Sequence, residues 1–457
     1  MRDLFMLAIL PVLLYAMAKR PFVAIGMWLW TALFFPNGWV YGMASGIRYN
    51  LLFTGVAMLT YLTMKNKPKV HFGLLGGLVM LFFAWTTIST VVSIGNPDVA
   101  WDFWSRFAKI VLLFIFVLLV IEKKLHLDFV LWCVVLSVGF YANLEGLKFI
   151  ASGGNHQIAG MATHVLHDRN ELAVAFVMTL PICYYLMHEY GKHSRLMRFG
   201  LMATMAMLVI SVIGTQSRGG FISLVVVGGY FFIKSDRKIL VGSAIAILSL
   251  VVMQLASDDW VERINTIESA DEDGSFLGRL VAWKLSFILA IEHPFFGGGF
   301  RAIQHFPVWA EMSQQFFSYP WFYTGDLLPN PAFARAAHSV YFQVLGDHGF
   351  VGLAIYLSIL AVALFKTSSI ARRARLTDTR DWLPLLVTMI QLSIFSFALG
   401  GAALSFAYFD LIFALFGLVV ILENRILAVA ESRSHAVPPP TLASAAPTPS
   451  RKMHEPS

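Results

Sequence analysis

Charge is scarce in this sequence of 457 residues. Asp, Glu, Lys and Arg make up 13% of it, about half the roughly 25% of an average soluble domain. Hydrophobic residues make up 58% and aromatic residues 14%. That composition excludes an ordinary water-soluble enzyme, because about a dozen bilayer-spanning helices of ~20 residues would absorb nearly all the apolar residues. Cysteine is almost absent. Cys133 and Cys183 both lie inside apolar runs, which excludes a disulfide framework and a thiolate metal cluster and leaves the redox compartment open. No inverted internal repeat of the kind common in transporters is evident. The first apolar stretch has no small-residue cleavage site after it and reads as a retained helix, not a removed signal peptide. The net charge of +7, from 34 basic and 27 acidic residues, matters in a membrane protein mainly through the side on which the positive charge lies.

Long apolar runs mark eleven spans: Leu51–Met64, Phe72–Ile94, Ala108–Ile121, Leu127–Phe149, Leu172–Met187, Phe199–Gly214, Gly219–Ile233, Ile239–Leu255, Phe350–Phe365, Leu383–Leu399 and Ala402–Leu422. Leu4–Met17 and Pro21–Phe35 are shorter and proline-interrupted, either two tilted spans or one broken one. One net crossing there gives about twelve transmembrane helices and an all-α polytopic fold. Basic residues occupy every second connection, at Lys19–Arg20, Lys65/Lys67/Lys69, Lys123–Lys124, Lys192/Arg195/Arg198, Lys234/Arg237/Lys238 and Lys366/Arg372/Arg373/Arg375. The positive-inside bias makes those connections cytoplasmic and turns the alternate ones outward, around residues 36–50, 95–107, 150–171, 215–218 and 256–349. The expected organisation is an N-terminal bundle over 1–255, a large helical periplasmic loop domain over 256–349, further transmembrane helices over 350–425, and a cytoplasmic disordered tail over 426–457. The Pro/Ala/Ser composition from about Ser434 cannot bury a core.

The outward connections hold the unusual residues. A 94-residue loop is too long to be structureless. From Ser257 to Ala337 it carries ten acidic and five basic residues, so its arginines do not reflect general basicity. Ser275–Glu292 reads as an amphipathic helix, with Leu277, Leu280, Val281, Leu285, Ile288 and Leu289 on one side and Arg279 and Lys284 elsewhere. It is expected to lie along the outer membrane surface and to stop at His293-Pro294, before Gly297-Gly298-Gly299. In Gly214-Thr-Gln-Ser-Arg-Gly-Gly220, free N–H groups at a helix start, the hydroxyls of Thr215 and Ser217, and the Arg218 guanidinium form a pattern suited to an anion; a tight interhelical turn is the plainer reading. His338 opens a short helix leading into the Phe350–Phe365 span, where a neutral imidazole can accept a hydroxyl proton. Asp168, Arg169 and Asn170 either contribute hydrogen bonds to a sugar or phosphate or simply cap the helix that follows. Arg48, Arg106 and Lys109 mark the outer ends of spans and receive no role.

The order of these motifs resembles the bacterial O-antigen ligase/polymerase superfamily of polytopic glycosyltransferases. The resemblance is carried by Thr215-Gln-Ser-Arg-Gly-Gly220 at a span head, Gly278-Arg279 in the long loop, His293-Pro-Phe-Phe-Gly-Gly-Gly-Phe300, and His338-Ser-Val-Tyr-Phe-Gln-Val-Leu-Gly-Asp-His-Gly349. It covers roughly residues 160–425, and Arg48-Tyr-Asn50 is similar to ligases associated with O-glycosylation or lipopolysaccharide maturation. The resemblance implies a GT-C-like enzyme of the bacterial inner membrane whose active site faces the periplasm. Its donor would be a glycan on undecaprenyl diphosphate and its acceptor a lipid A-core hydroxyl. By position, His338 matches the family's essential histidine, and Arg218 and Arg279 match its diphosphate-facing arginines. Ser217, Asp168, Arg169, Asn170 and Arg301 are further candidate substrate contacts.

No cofactor and no nucleic-acid partner are expected. Asp258-Asp259 and Asp271-Glu272-Asp273 are the acids a divalent-metal mechanism would use, but acidic runs in loops are usually solvated and none lies close to a histidine. Metal-independent, inverting transfer is the expectation. An O-antigen polymerase or a protein O-oligosaccharyltransferase would share the donor. A lipid-linked glycan flippase or transporter would instead need charge at mid-membrane, where only Asp410, inside Ala402–Leu422, answers.

Overall fold

The computed structural model describes residues 1–239, 274–320, 327–379 and 381–436, with residues 242, 243, 246 and 250 between the first two segments. Every regular element among them is helical. Helices α1 (Arg2–Lys19) and α2 (Pro21–Phe34) are separated by an extended Arg20, which Pro21 favours because a residue before proline avoids the α region. The first 35 residues are thus two helices. Then follow α3 (Tyr49–Leu62), α4 (Gly73–Val91), α5 (Pro97–Val120), α6 (Lys124–Ala151), α7 (Arg169–Tyr190), α8 (Arg195–Gly214) and α9 (Arg218–Lys234). Beyond the break in description come α10 (Gly274–Glu292), α11 (Phe306–Gln314), α12 (Val340–Ala374), α13 (Leu383–Gly400) and α14 (Asp410–Ile421).

Eight helices of the described residues are long and apolar enough to cross a membrane. They are α4 to α8, α12, α13 and the continuous run from α14 to Arg433. The expected Leu51–Met64 span is the 14-residue α3 and Gly219–Ile233 lies in the 17-residue α9, both shorter than a ~20-residue crossing. Most of Ile239–Leu255 lies outside the described residues. Two boundaries differ from the sequence reading. The apolar run Ala402–Leu422 is not one helix: residues 404–409 are non-helical and α14 begins at Asp410. That places the carboxylate at a helix N-terminus, where the backbone dipole favours it, and not at mid-span. The helix also continues through a π-segment, Leu422–Leu427, into Ala428–Ala436, inside the stretch expected to be a disordered tail.

Helix α7 is the hub, packing on α6, α8, α9 and α13, and it is buried from Leu172 to Cys183. Its neighbours cover it on all sides, which explains why it is apolar all round and not striped. The basic connections meet at one end of the bundle. Lys124 bonds Asp128 at 2.7 Å and Glu189 at 3.0 Å. Arg425 donates to the carbonyls of Ile121 and Lys69, and Lys366 pairs with Glu423. The starts of α7, α9, α12 and α14 lie at the opposite end.

Outside the bundle, α10 buries Val281, Leu285, Ile288 and Leu289 against Ile303, Val308, Trp309, Met312 and Phe316. The expected apolar face is therefore present. Lys284, assigned to the polar side, is instead buried with its Nζ 4.0 Å from the centroid of the Phe316 ring, a cation–π pairing that periodicity does not reveal.

Candidate functional site

His338 stands two residues before α12 with φ of +47°, in the left-handed region that costs a non-glycine residue roughly 1–2 kcal/mol. Its neighbours hold it there. The His338 N–H donates to Ser405 Oγ at 2.8 Å, and the preceding carbonyl, of Ala337, accepts from Trp283 Nε1 at 2.6 Å. Trp283 in turn stacks on Phe342 at 5.0 Å between centroids. The main chain is thus fastened on both sides, while the side chain stays exposed.

Surrounding protein removes part of the water around the imidazole, which lowers its pKa from the ordinary value; Arg279 lowers it further, Asp168 opposes, and Arg335 lowers it again. Two cations and one carboxylate are thus gathered around one histidine by three separate segments. Arg279 is positioned by α10. Arg335 passes so close to the same helix that any side chain at Gly278 would collide with its guanidinium. Asp168 caps α7, accepting from Asn170 N at 2.7 Å, so the capping reading of this residue holds while its charge also acts on His338. Arg169 is the first residue of that helix.

The start of α9, which carries Arg218, adjoins the same region by another route. Ser217 caps α9, its Oγ accepting from Gly220 N at 3.2 Å. The Thr215 hydroxyl donates to Val212 O and accepts from Ser217 N. Both side chains are buried, and these hydroxyls build the turn. A methyl group at Gly219 would lie 3.5 Å from both Gly400 O and Ala403 Cβ. The 400–405 turn therefore touches α9 at one end and holds His338 at the other.

The glycine-rich motifs have a main-chain function. Residues 294–300 lie against residues 346–350 through Gly298 N to Gly346 O at 2.9 Å, Gly299 N to Asp347 O at 2.8 Å and Phe350 N to Pro294 O at 2.9 Å. Gly349, at φ +70° and ψ −172°, breaks α12 there, a conformation essentially reserved for glycine. A side chain at Gly349 would meet the carbonyls of Pro294 and Phe295, and one at Gly297 would meet the amides of His348 and Gly349. Asp347, given no role in the sequence reading, accepts from Arg301 N at 2.9 Å and from Tyr408 OH at 3.1 Å. Arg301 itself has φ of +56°. The pairing of the two motifs thus fixes where Arg301 stands.

Beside this frame is a cavity of about 630 Å³ whose wall includes Arg106, Lys109, Glu171, Arg301, Ser405 and Asp410. His338, Arg218 and Arg279 are not in that wall; Ser405 joins it to His338. His164 also faces it but is occupied structurally, with Nε2 2.8 Å from Ala32 O and its ring stacked on Phe35 at 5.0 Å. Among the described residues no group of three His, Cys, Asp or Glu could hold a metal ion; Asp258, Asp259 and Asp271–Asp273 lie outside them. Two contributors escaped the sequence reading, Arg335 and Asp347. For Arg335 the available signal was its position three residues before the histidine in an acidic loop.

Comparison with known families adds two matches. Residues 1–191 match a family of unknown function (DUF5935), and residues 203–357 match the O-antigen ligase family. No curated protein matches the chain. The second match contains Arg218, Arg279, Arg301, His338 and Asp347. The first contains Arg106, Lys109, Asp168 and Glu171.

Proposed function

Residues 203–357 make this chain a multi-pass member of the O-antigen ligase family, and on that premise we propose that it transfers a glycan from undecaprenyl diphosphate to a lipid A-core hydroxyl. The reaction would take place on the periplasmic face of the inner membrane, in a chain of about twelve crossings with residues 256–349 as its outer domain. Supporting that sidedness, the basic connections meet at one end of the bundle and His338 lies at the other. The observation that carries the reading is the set of charges around His338. An imidazole kept below its ordinary pKa by lost water and by Arg279 and Arg335 is neutral near pH 7 and able to accept a proton.

In the proposed step His338 takes the proton of the acceptor hydroxyl as its oxygen bonds to the anomeric carbon. The bond from that carbon to the diphosphate breaks, and its electron pair leaves on the phosphate oxygen. Arg218 and Arg279 meet the charge that develops there. Attack from the face opposite the leaving group inverts the anomeric centre. Ser217 serves this site by capping the helix that carries Arg218, and Asp168 by its field on His338; Arg169 and Asn170 build the same helix start. Supporting an enzyme over a carrier, Asp410 opens α14 at the cavity and does not sit mid-span.

The test is transfer in liposomes from undecaprenyl-diphosphate glycan, offered lipid A-core, a second glycan carrier, or a protein acceptor. Product on lipid A-core, undiminished by excess chelator, is expected. Product only on the second carrier or on protein would make the chain a polymerase or a protein glycosylase. Strict dependence on magnesium would move the chemistry to the acids of the outer loop.

A further inference from the structure

The cavity beside His338 has a wall whose charges the transfer step above does not use. Phe103, on α5, has two guanidinium groups at its ring: Arg301 Cζ lies 3.9 Å from the centroid and Arg106 Cζ 5.0 Å from it. Lys109 follows Arg106 by three residues on the same helix and faces the same cavity, as i, i+3 residues do. Three cations from two distant segments therefore share one wall. Holding like charges together is costly, and the relief at Arg301 comes from the fields of Asp347, Glu171 and Asp102 without a direct ion pair among the described residues. Arg106 pairs with Asp102 at 2.7 Å, on the solvent side where both are more than half exposed. Among the described residues neither Arg301 nor Lys109 has an ion pair. Arg301 is also fixed from behind by its own N–H to Asp347 Oδ1 at 2.9 Å, so its guanidinium is presented from a rigid main chain. Lost hydration lowers the pKa of Arg301 from its ordinary value; Asp347, Glu171 and Asp102 oppose, and Arg106 lowers it again.

We propose that this wall is an acceptor-glycan subsite that binds an acidic substituent, a phosphate on the acceptor sugars, between Arg301, Arg106 and Lys109. A planar guanidinium suits a phosphate through paired N–H donors, and the Phe103 face lies beside both arginines. Glu171 and Asp410 stand in the same cavity and accept hydroxyl protons of the neutral ring positions. The connection to chemistry is Ser405: it lines the cavity and accepts the His338 main-chain N–H, so a sugar anchored at the cations lies beside the segment that carries the imidazole. Arg218 and Arg279, assigned to the donor diphosphate, lie outside this wall, which leaves it to the acceptor. The wall joins both family regions, since Arg106 and Lys109 belong to the 1–191 match and Arg301 to the 203–357 match.

The inference rests on the transfer reading, and the experiment separates the two. The full-length protein in detergent is titrated with lipid A-core bearing its phosphates and with the same material after dephosphorylation, reading binding directly, and transfer is assayed in parallel. Tighter binding of the phosphorylated form by tenfold or more is expected, reduced to near equality in Arg301→Gln and in Lys109→Gln and only partly kept in Arg301→Lys, which retains the charge but not the paired donors. The donor KM should remain unchanged in these variants. Should Arg301→Gln fail to fold, Lys109→Gln, at an exposed position, carries the test. Equal binding of both acceptor forms by the unmodified protein overturns the subsite. A rise in donor KM with acceptor binding unchanged also overturns it, reassigning these cations to the donor phosphates. Discriminating binding with no transfer to any acceptor leaves the subsite standing and removes the transfer reading.

Discussion

The backbone N–H of His338 and the side-chain hydroxyl of Ser405 meet at 2.8 Å across 67 residues of sequence. That bond joins the segment leading into α12 to the turn before α14, and it sets His338 between the cavity and the start of α7.

His338→Asn should separate chemistry from folding. Asparagine tolerates the left-handed backbone and keeps the N–H that bonds Ser405, but it cannot accept a proton as a base. Transfer is expected to fall about 10²–10⁴-fold, the usual contribution of general acid–base catalysis, while thermal unfolding in detergent stays near that of the parent. Retained transfer in a folded His338→Asn protein would remove the histidine from the mechanism.

The acid limb of the pH profile gives the sign of the local field. Transfer needs the neutral imidazole, so it declines as pH falls through the pKa of His338, which burial, Arg279 and Arg335 hold below the ordinary 6.5. Arg335→Gln removes a cation and should move the limb of kcat/KM to higher pH. Asp168→Asn removes the opposing carboxylate and should move it to lower pH. Displacement in the reverse sense for either would show that another group titrates.

Arg218→Ala should slow transfer by about a hundredfold or more, the size of effect typical when one charge contact to a developing anion is lost, about 2.7–4 kcal/mol. The deficit should appear in kcat with a shortened donor as well as the full one, since it concerns the diphosphate and not the glycan. Full activity in this variant would contradict the donor assignment.

Gly349→Ala should weaken the folded protein more than a typical surface change of about 0.5 kcal/mol. Its backbone is at φ +70°, and a methyl group there would press on the carbonyls of Pro294 and Phe295. A lowered unfolding temperature and lost transfer are expected together. Gly77→Ala, where a Cβ meets nothing within 4 Å, serves as the control and should change neither.

Periodicity and charge carried the sequence reading a long way. The helix over Ser275–Glu292 was legible because its apolar residues recur on one face, and the opposition of basic connections to the His338 end was legible because lysine and arginine alternate from one connection to the next. Lys284 was misplaced because a lysine covered by a phenyl ring looks, in sequence, like any polar-face lysine. Asp410 was misplaced because alanine, leucine and phenylalanine around residues 402–409 read as helix, although an extended stretch there brings Ser405 to His338. Asp347 and Arg335 stayed hidden for a different reason. One acts through a neighbour's main chain and the other through its field, and neither leaves a spacing to read. The glycine motifs were recognised as punctuation, but that two of them lie against each other is a tertiary fact.

The joint between residues 294–300 and 346–350 is made of main-chain groups, so it is indifferent to most side-chain replacement provided the glycines remain. It divides this part of the chain into a permanent chassis and an intervening stretch, residues 302–337, whose described residues rest on α10 through an apolar footing and through the Trp283 Nε1 bond to Ala337 O. A related protein could trade the part of that stretch ahead of Arg335 and still keep both the frame and the cation that acts on the imidazole.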